Sequence, residues 1–195
     1  MIELSHYLFP EFTKGTIQMK DGKAYPSMLN YNSMTEEMVF EENGKRLAVS
    51  KAMVDQVDTV TIGDRKFISM NGVFLELIHH STFDLYIEHK CHIKEPGKPS
   101  GYGGTSETSA ITSYSSLISD GLVYDLKLPD GYSAKPYFYY WLKKEGRYLT
   151  FANIGQLKAL YPDKKELSKE FTKQNKVKYD DQDTIIQMIE YLETH

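Results

Sequence analysis

The sequence predicts an α+β fold, a mainly antiparallel β meander followed by C-terminal helices that pack on the sheet. Short alternating apolar and polar segments recur between turn dipeptides from residue 15 to residue 95, which is typical of antiparallel strands. Near the C-terminus apolar side chains instead recur three and four residues apart, the period of an amphipathic helix. We expect a β meander over 1–95, a flexible Gly-, Ser- and Thr-rich loop over 96–120, and strands plus helices over 121–195. The last segment is expected to form one compact domain with 1–95.

The expected strands of the meander are separated by dipeptides that favour tight turns, namely Asp21-Gly22, Asn43-Gly44 and Asn71-Gly72. Glycine adopts positive φ without steric cost, so Asp21-Gly22 predicts a two-residue hairpin of type I′. The alternating segments between the turns predict strands near 15–20, 28–31, 38–40, 57–62, 66–70, 73–80 and 83–93.

The last two of these strands carry apolar residues at odd positions, and this predicts their register. Val73, Leu75 and Leu77 share one face of the first strand, as Leu85 and Ile87 do on the second. If both sets face one core, odd residues of one strand lie opposite odd residues of the other.

Residues 96–120 are expected to form a long loop with a short helix near 110–118. The glycines here also suggest a phosphate-binding loop. However, Pro99 follows Gly97-Lys98, lacks an N–H, and disfavours a helix immediately before it. A mobile loop is therefore the preferred interpretation. Further strands are expected at 123–128, 137–142 and 148–151.

Three helical segments are expected after the last strand. Asn153 is suited to cap a short helix that ends near Leu160. Asp163 with Glu166 fits a capping box for a second helix. A final helix begins near 180–183, and its apolar stripe consists of Ile185, Ile189 and Leu192.

Composition argues against several classes of protein. The net charge is −4 and only three of the 23 basic residues are arginine, so we expect no nucleic-acid partner. No apolar run approaches the roughly 20 residues that a membrane span needs. The first ten residues contain an acid and no basic segment, so no signal peptide is expected there. A single cysteine forbids an internal disulfide.

Several stretches together resemble a known group of proteins. They are Tyr7-Leu8-Phe9-Pro10, Leu29-Asn30-Tyr31-Asn32, residues 57–67, and the tail from 139 to 192. In these the chain resembles uncharacterised exported, cell-envelope proteins of gut-type Gram-negative bacteria. The resemblance covers most of the chain and implies a periplasmic, outer-membrane-associated or secreted location. It implies no chemistry for any residue.

Histidines and the cysteine crowd one part of the sequence, at His79, His80, His89, Cys91 and His92. Imidazole and thiolate are ligands for zinc or copper. Yet His89 and His92 fall on opposite faces of one strand, and the hairpin places His79 and His80 far from both. We therefore expect no metal and no cofactor. Patterns such as G-x-S-x-G and HExxH are absent, so we expect no catalytic residues and no enzyme activity.

Aromatic residues are the one compositional excess, with 15 tyrosines, nine phenylalanines and one tryptophan. The run 137–141 sends Tyr137, Tyr139 and Trp141 to one face of a strand. A buried central strand is the preferred interpretation. The alternative is an amphipathic face that binds a protein, glycan or peptide, with Tyr102 as a further candidate.

Three function classes remain open on this reasoning. The first is a non-enzymatic cell-envelope or secreted interaction protein, which fits the aromatic excess and the implied export. The second is a carrier of a small apolar ligand or lipid, which requires the sheet to curl into a half-barrel with a cavity. The third is an enzyme with an unrecognised site. A deep apolar cavity would favour the carrier, and convergent polar groups would favour the enzyme.

Overall fold

The computed structural model describes residues 6–94, 98–99, 105–106 and 133–195. Ten of their strands build an antiparallel sheet, and three of their four α-helices lie near the C-terminus, so the predicted α+β class is confirmed. The strands are β1 (Thr13–Met19), β2 (Ala24–Asn32), β3 (Glu37–Glu42), β4 (Lys45–Ala48), β5 (Val57–Ile62), β6 (Arg65–Met70), β7 (Val73–His80), β8 (Asp84–Lys94), β9 (Lys98–Pro99), β10 (Thr105–Ser106), β11 (Ser133–Lys144) and β12 (Arg147–Phe151). The helices are α1 (Lys51–Val54), α2 (Ile154–Ala159), α3 (Lys165–Gln174) and α4 (Gln182–Thr194).

The order of strands across the sheet is β12-β11-β8-β7-β6-β5-β1-β2-β3-β4, and β9 pairs with β10 separately. The sheet therefore contains two runs of sequentially paired strands, which meet where β1 pairs with β5. The chain runs outward from β1 to β4, returns through α1, and starts again with β5 on the other side of β1. The register pairs Ile17 with Tyr25 on β2 and with Val60 on β5.

The chain divides into two compact units. The first comprises Met1–Glu76 with Glu88–Phe138, and the second comprises Leu77–Ile87 with Tyr139–His195. The division expected from the sequence, into 1–95, 96–120 and 121–195, stays a prediction. The expected helix near 110–118, the expected strand 123–128 and Tyr102 lie outside the described residues.

The turns of the first unit agree with the sequence in position but not always in type. Asn43-Gly44 and Asn71-Gly72 have positive φ at both residues, the type I′ pattern. At Asp21-Gly22 only Gly22 has positive φ, so the predicted type I′ turn is wrong. The Asp21 carboxylate accepts a hydrogen bond from the Lys23 backbone N–H at 3.0 Å, and the Met19 N–H bonds the Lys23 carbonyl. The result is a three-residue loop with glycine in the left-handed position.

At Glu76 and His89 the strands β7 and β8 depart from the predicted register, in which odd residues lie opposite odd residues. Phe74, not Leu75, belongs to the hydrophobic cluster of the first unit, and the even-numbered Glu76 contacts the odd-numbered His89. The reason is that β7 is buried on both faces, since Phe74, Leu75 and Glu76 are all buried. When both faces of a strand are buried, the positions of its apolar residues do not predict which side chains share a face with those of the neighbouring strand.

The helices of the second unit begin largely where the sequence places them. The Asn153 side chain accepts a hydrogen bond from the Gln156 N–H at the start of α2, and Asp181 accepts from the Thr184 N–H at the start of α4. The capping box at Asp163 is wrong. Pro162–Lys164 form a 3-10 turn, which places Asp163 inside a helical segment instead of at the extended cap position.

Candidate functional site

A concavity of about 1330 Å³ lies around the β1–β2 hairpin of the first unit. Its walls are residues of β1–β5 and of the segment that carries α1. The strand register separates this lining into two faces, because Ile17 pairs with Tyr25, Leu29 with Phe40, and Phe40 with Leu47. Side chains alternate along a strand, so Ile17, Tyr25, Phe40 and Leu47 all project from the inner face of the sheet.

We call the inner part of this concavity the apolar pocket. It is lined by Ile17, Met19, Tyr25, Phe40, Leu47 and Met53. The outer-facing lining is more polar and includes Lys14, Thr16 and Thr61. The apolar pocket is thus the part of the concavity that can bury apolar surface of a ligand.

The return from β4 to β5 shapes the apolar pocket. Only residues 49–56 connect these strands, although β1, β2 and β3 lie between them in the sheet. Val49 and Val54 of this connection belong to the same hydrophobic cluster as Ile17 and Tyr31. The connection therefore crosses the inner face, where Ser50 and Met53 become part of the wall.

Exposed apolar side chains are concentrated at the concavity. Among the residues that the structure describes, the exposed large hydrophobic side chains are Tyr25 at 51%, Met53 at 42% and Met28 at 37%. All three belong to residues of the lining. Met28 has the opposite parity to Tyr25 on β2, so its side chain is on the outer face, whereas Tyr25 and Met53 belong to the apolar pocket. Clustered exposed apolar residues of this kind mark binding surfaces more often than scattered ones.

A second cluster of functional groups lies in the same unit and joins β6, β7 and β8. The buried Glu76 carboxylate accepts hydrogen bonds from Arg65 Nε and Nη2 at 2.5 Å each, and pairs with His89 Nε2 at 2.5 Å. Arg65 also lies over the Phe9 ring, 4.8 Å from its centroid. Burial raises the pKa of Glu76, but the hydrogen bonds from His89 and Arg65 outweigh it and hold that pKa below its ordinary value.

Tyr31 closes one side of this cluster. Its hydroxyl donates to the His89 carbonyl oxygen at 3.2 Å, and its ring stacks on Phe67 with centroids 6.2 Å apart. Burial raises the pKa of Tyr31 well above its ordinary value. A carboxylate held by both guanidinium and imidazole, against packed rings, is suited to pinning three strands together.

We expect Glu76→Gln to destabilise the protein by about 1.5–3 kcal/mol near neutral pH, because it removes a charge-assisted hydrogen-bond network. The lowered pKa of Glu76 in the folded state also makes stability depend on pH. This stabilisation is present above the ordinary carboxyl pKa of 4.5 and is lost as the pH falls through the lower folded-state pKa. Urea unfolding at several pH values should show a smaller acid dependence in Glu76→Gln. Glu166→Gln, at an exposed ion pair with Lys169, is the control and should match the parent protein.

Tyr137, Tyr139 and Trp141 are half-buried and are not among the residues that line the apolar pocket. In the first unit, Tyr137 stacks on His92 with ring centroids 3.8 Å apart. In the second unit, the rings of Trp141 and Tyr148 pack edge to face with centroids 6.5 Å apart. Tyr140, which lies between Tyr139 and Trp141 in the sequence, is fully buried. A binding role for Tyr137, Tyr139 and Trp141 stays a prediction.

The histidines near the meander's end have separate partners. His80 Nδ1 lies 2.5 Å from Asp84, His79 packs on Phe83, and His89 pairs with Glu76. Burial raises the pKa of the Cys91 thiol. Within the described ranges, no group of three or more His, Cys, Asp or Glu side chains could hold a metal ion. The expectation that the protein binds no metal stays a prediction.

Comparisons with protein-family models, curated proteins and solved structures find no match to this chain. Across the described residues, no helix has both the length and the apolar character needed to cross a membrane.

Proposed function

We propose that this chain is a non-enzymatic binding protein and that the apolar pocket of the first unit takes a small apolar ligand or the acyl chain of a lipid. The observation that carries the proposal is that two exposed apolar side chains, Tyr25 and Met53, belong to the same apolar pocket. Solvent exposure of Tyr25 and Met53 has a free-energy cost, and a bound apolar ligand would remove their surfaces from water.

The lining supports a flexible apolar ligand. The volume of about 1330 Å³ belongs to the whole concavity, of which the apolar pocket is the inner part. Met19 and Met53 give the pocket adaptable thioether walls, which suit flexible apolar chains. Glu42 and Ser50 lie in the same lining and can solvate a polar end of the ligand.

A second proposal concerns location and a macromolecular partner. The resemblance to exported cell-envelope proteins supports a periplasmic, outer-membrane-associated or secreted protein. The half-buried rings of Tyr137, Tyr139 and Trp141 support a peptide, glycan or protein partner on β11, since such rings offer rigid contact area with polar tips.

The test of the apolar pocket is a titration with the neutral fluorescent probe N-phenyl-1-naphthylamine. We expect saturable binding, and we expect Met53→Glu to weaken it about tenfold because a carboxylate must then be desolvated in the pocket wall. Ala52→Glu is the matched control, since Ala52 is exposed on the same helix turn and lies outside the lining. Equal affinities of the two variants would contradict the proposed site.

A further inference from the structure

We propose that Met53 is an oxidation site through which hydrogen peroxide closes the apolar pocket to its ligand. The proposal rests on the proposed function for its effect on binding, but the oxidation itself does not depend on it.

The exposure of the methionines makes the reaction selective. Among the methionines that the structure describes, Met28 and Met53 are exposed, Met70 is half-buried, and Met19, Met34, Met38 and Met188 are buried. Oxidation of a thioether requires that the oxidant reach the sulfur, so these two residues react first. Of these two exposed methionines, only Met53 belongs to the apolar pocket, because the register places the Met28 side chain on the outer face.

The chemistry is a two-electron oxygen transfer. A sulfur lone pair of Met53 attacks one oxygen of hydrogen peroxide, the O–O bond breaks, and the sulfur–oxygen bond of a sulfoxide forms. The other peroxide oxygen leaves as water after proton transfer, so the thioether is oxidised and the peroxide is reduced. The product is polar where the thioether was apolar, and a methionine sulfoxide reductase with a thiol reductant restores it.

The position of Met53 connects this reaction to binding. Met53 lies on the connection that crosses the inner face, and it shares the lining of the pocket with the strand residues Ile17 and Leu47. A ligand that covers Met53 with an apolar group would have to remove water from the sulfoxide oxygen without replacing its hydrogen bonds. We therefore expect affinity for an apolar ligand to fall by about tenfold on oxidation.

The experiment treats the intact protein with hydrogen peroxide, maps sulfoxides by peptide mass spectrometry, and titrates N-phenyl-1-naphthylamine before and after treatment. The same measurements are made on Met53→Leu and on Met28→Leu, each variant being compared only with itself. We expect sulfoxide at both Met28 and Met53 in the parent protein. We expect loss of probe affinity on oxidation of the parent and of Met28→Leu but not of Met53→Leu, and recovery after reductase treatment.

The outcomes separate this proposal from the proposed function. If the untreated protein fails to bind the probe, the proposed function fails, and the sulfoxide map still tests whether Met53 is a preferred site. If the untreated protein binds but Met53 is not oxidised before the buried methionines, the oxidation site is wrong. If Met53 is oxidised and affinity does not change, or changes equally in Met53→Leu, the control of the pocket is wrong while the apolar site stands.

Discussion

Gly15→Ala is expected to be among the most destabilising single substitutions in this chain. A Cβ added at Gly15 would lie 2.2 Å from the Thr61 carbonyl oxygen and 2.7 Å from Leu29 Cδ1. The first contact is with backbone, so no change of rotamer relieves it, and β5 would have to move away from β1. We expect a loss of about 3 kcal/mol or more, measured as a lower urea midpoint.

The control for Gly15→Ala is Gly72→Ala in the β6–β7 turn. An added Cβ there meets no atom within 4 Å, but Gly72 has a φ of 80°, so the substitution costs only local backbone strain, about 1 kcal/mol. A Gly15→Ala protein as stable as Gly72→Ala would show that β1 and β5 do not approach as closely as the structure places them.

Gly15 also belongs to the lining of the concavity. Its missing side chain lets β5 close over β1 at a point where β1 is paired on both sides, with Ser27 on β2 and Ile62 on β5. A glycine inside a strand commonly marks such a close backbone approach or a bend of the sheet. This close approach accompanies the return of the chain across the inner face, and that return supplies one wall of the pocket.

The sequence predicted the local structure well because its signals are local. Asn71-Gly72 determines a turn through its own backbone preferences, and Asn153 caps α2 through a contact three residues away. The pairing of β5 with β1 is not local. The alternation of Val57–Ile62 would be the same if this strand followed β4 at the edge, so periodicity alone could not distinguish the two arrangements.

The candidate site was missed for the same reason. Tyr25, Leu47 and Met53 belong to different elements. Strand pairing places Tyr25 and Leu47 on one face, and the return through α1 adds Met53 to the same concavity. The Glu76 cluster was missed because an acidic residue within an apolar strand indicates a partner but does not identify it. Arg65 and His89 come from the two neighbouring strands, and their contact with Glu76 follows from register. The aromatic run at 137–141 was a candidate site because of its composition, and composition does not predict which side chains are exposed.

The C-terminal helix should be as sensitive as Gly15. Its stripe residues Ile185, Ile189 and Leu192 are fully buried, as the sequence predicted for them, and Met188 is buried with them. The helix end is held within the second unit by polar contacts as well. The Tyr161 hydroxyl donates to Glu193 at 2.6 Å, and Lys144 pairs with Glu193 at 2.8 Å. Both buried apolar side chains and polar contacts of Glu193 therefore hold α4 in place.

We therefore expect Ile189→Ala to destabilise the protein by about 2–5 kcal/mol, because it removes buried methyl and methylene groups and leaves a cavity that packing relaxes only in part. In a chain of this size that loss corresponds to a fall of roughly 5–15 °C in the thermal midpoint. Gln187→Ala is the matched control, since Gln187 is exposed on the same helix, and it should stay within about 0.5 kcal/mol of the parent. Glu190 is a poorer control because its carboxylate lies 3.7 Å from His79 Nε2. Deletion from Asp183 onward removes all four buried side chains, a loss comparable to the roughly 5–15 kcal/mol of an ordinary domain, and should give insoluble or poorly folded protein. Equal and negligible effects of Ile189→Ala and Gln187→Ala would mean that α4 does not contribute to the core of the second unit.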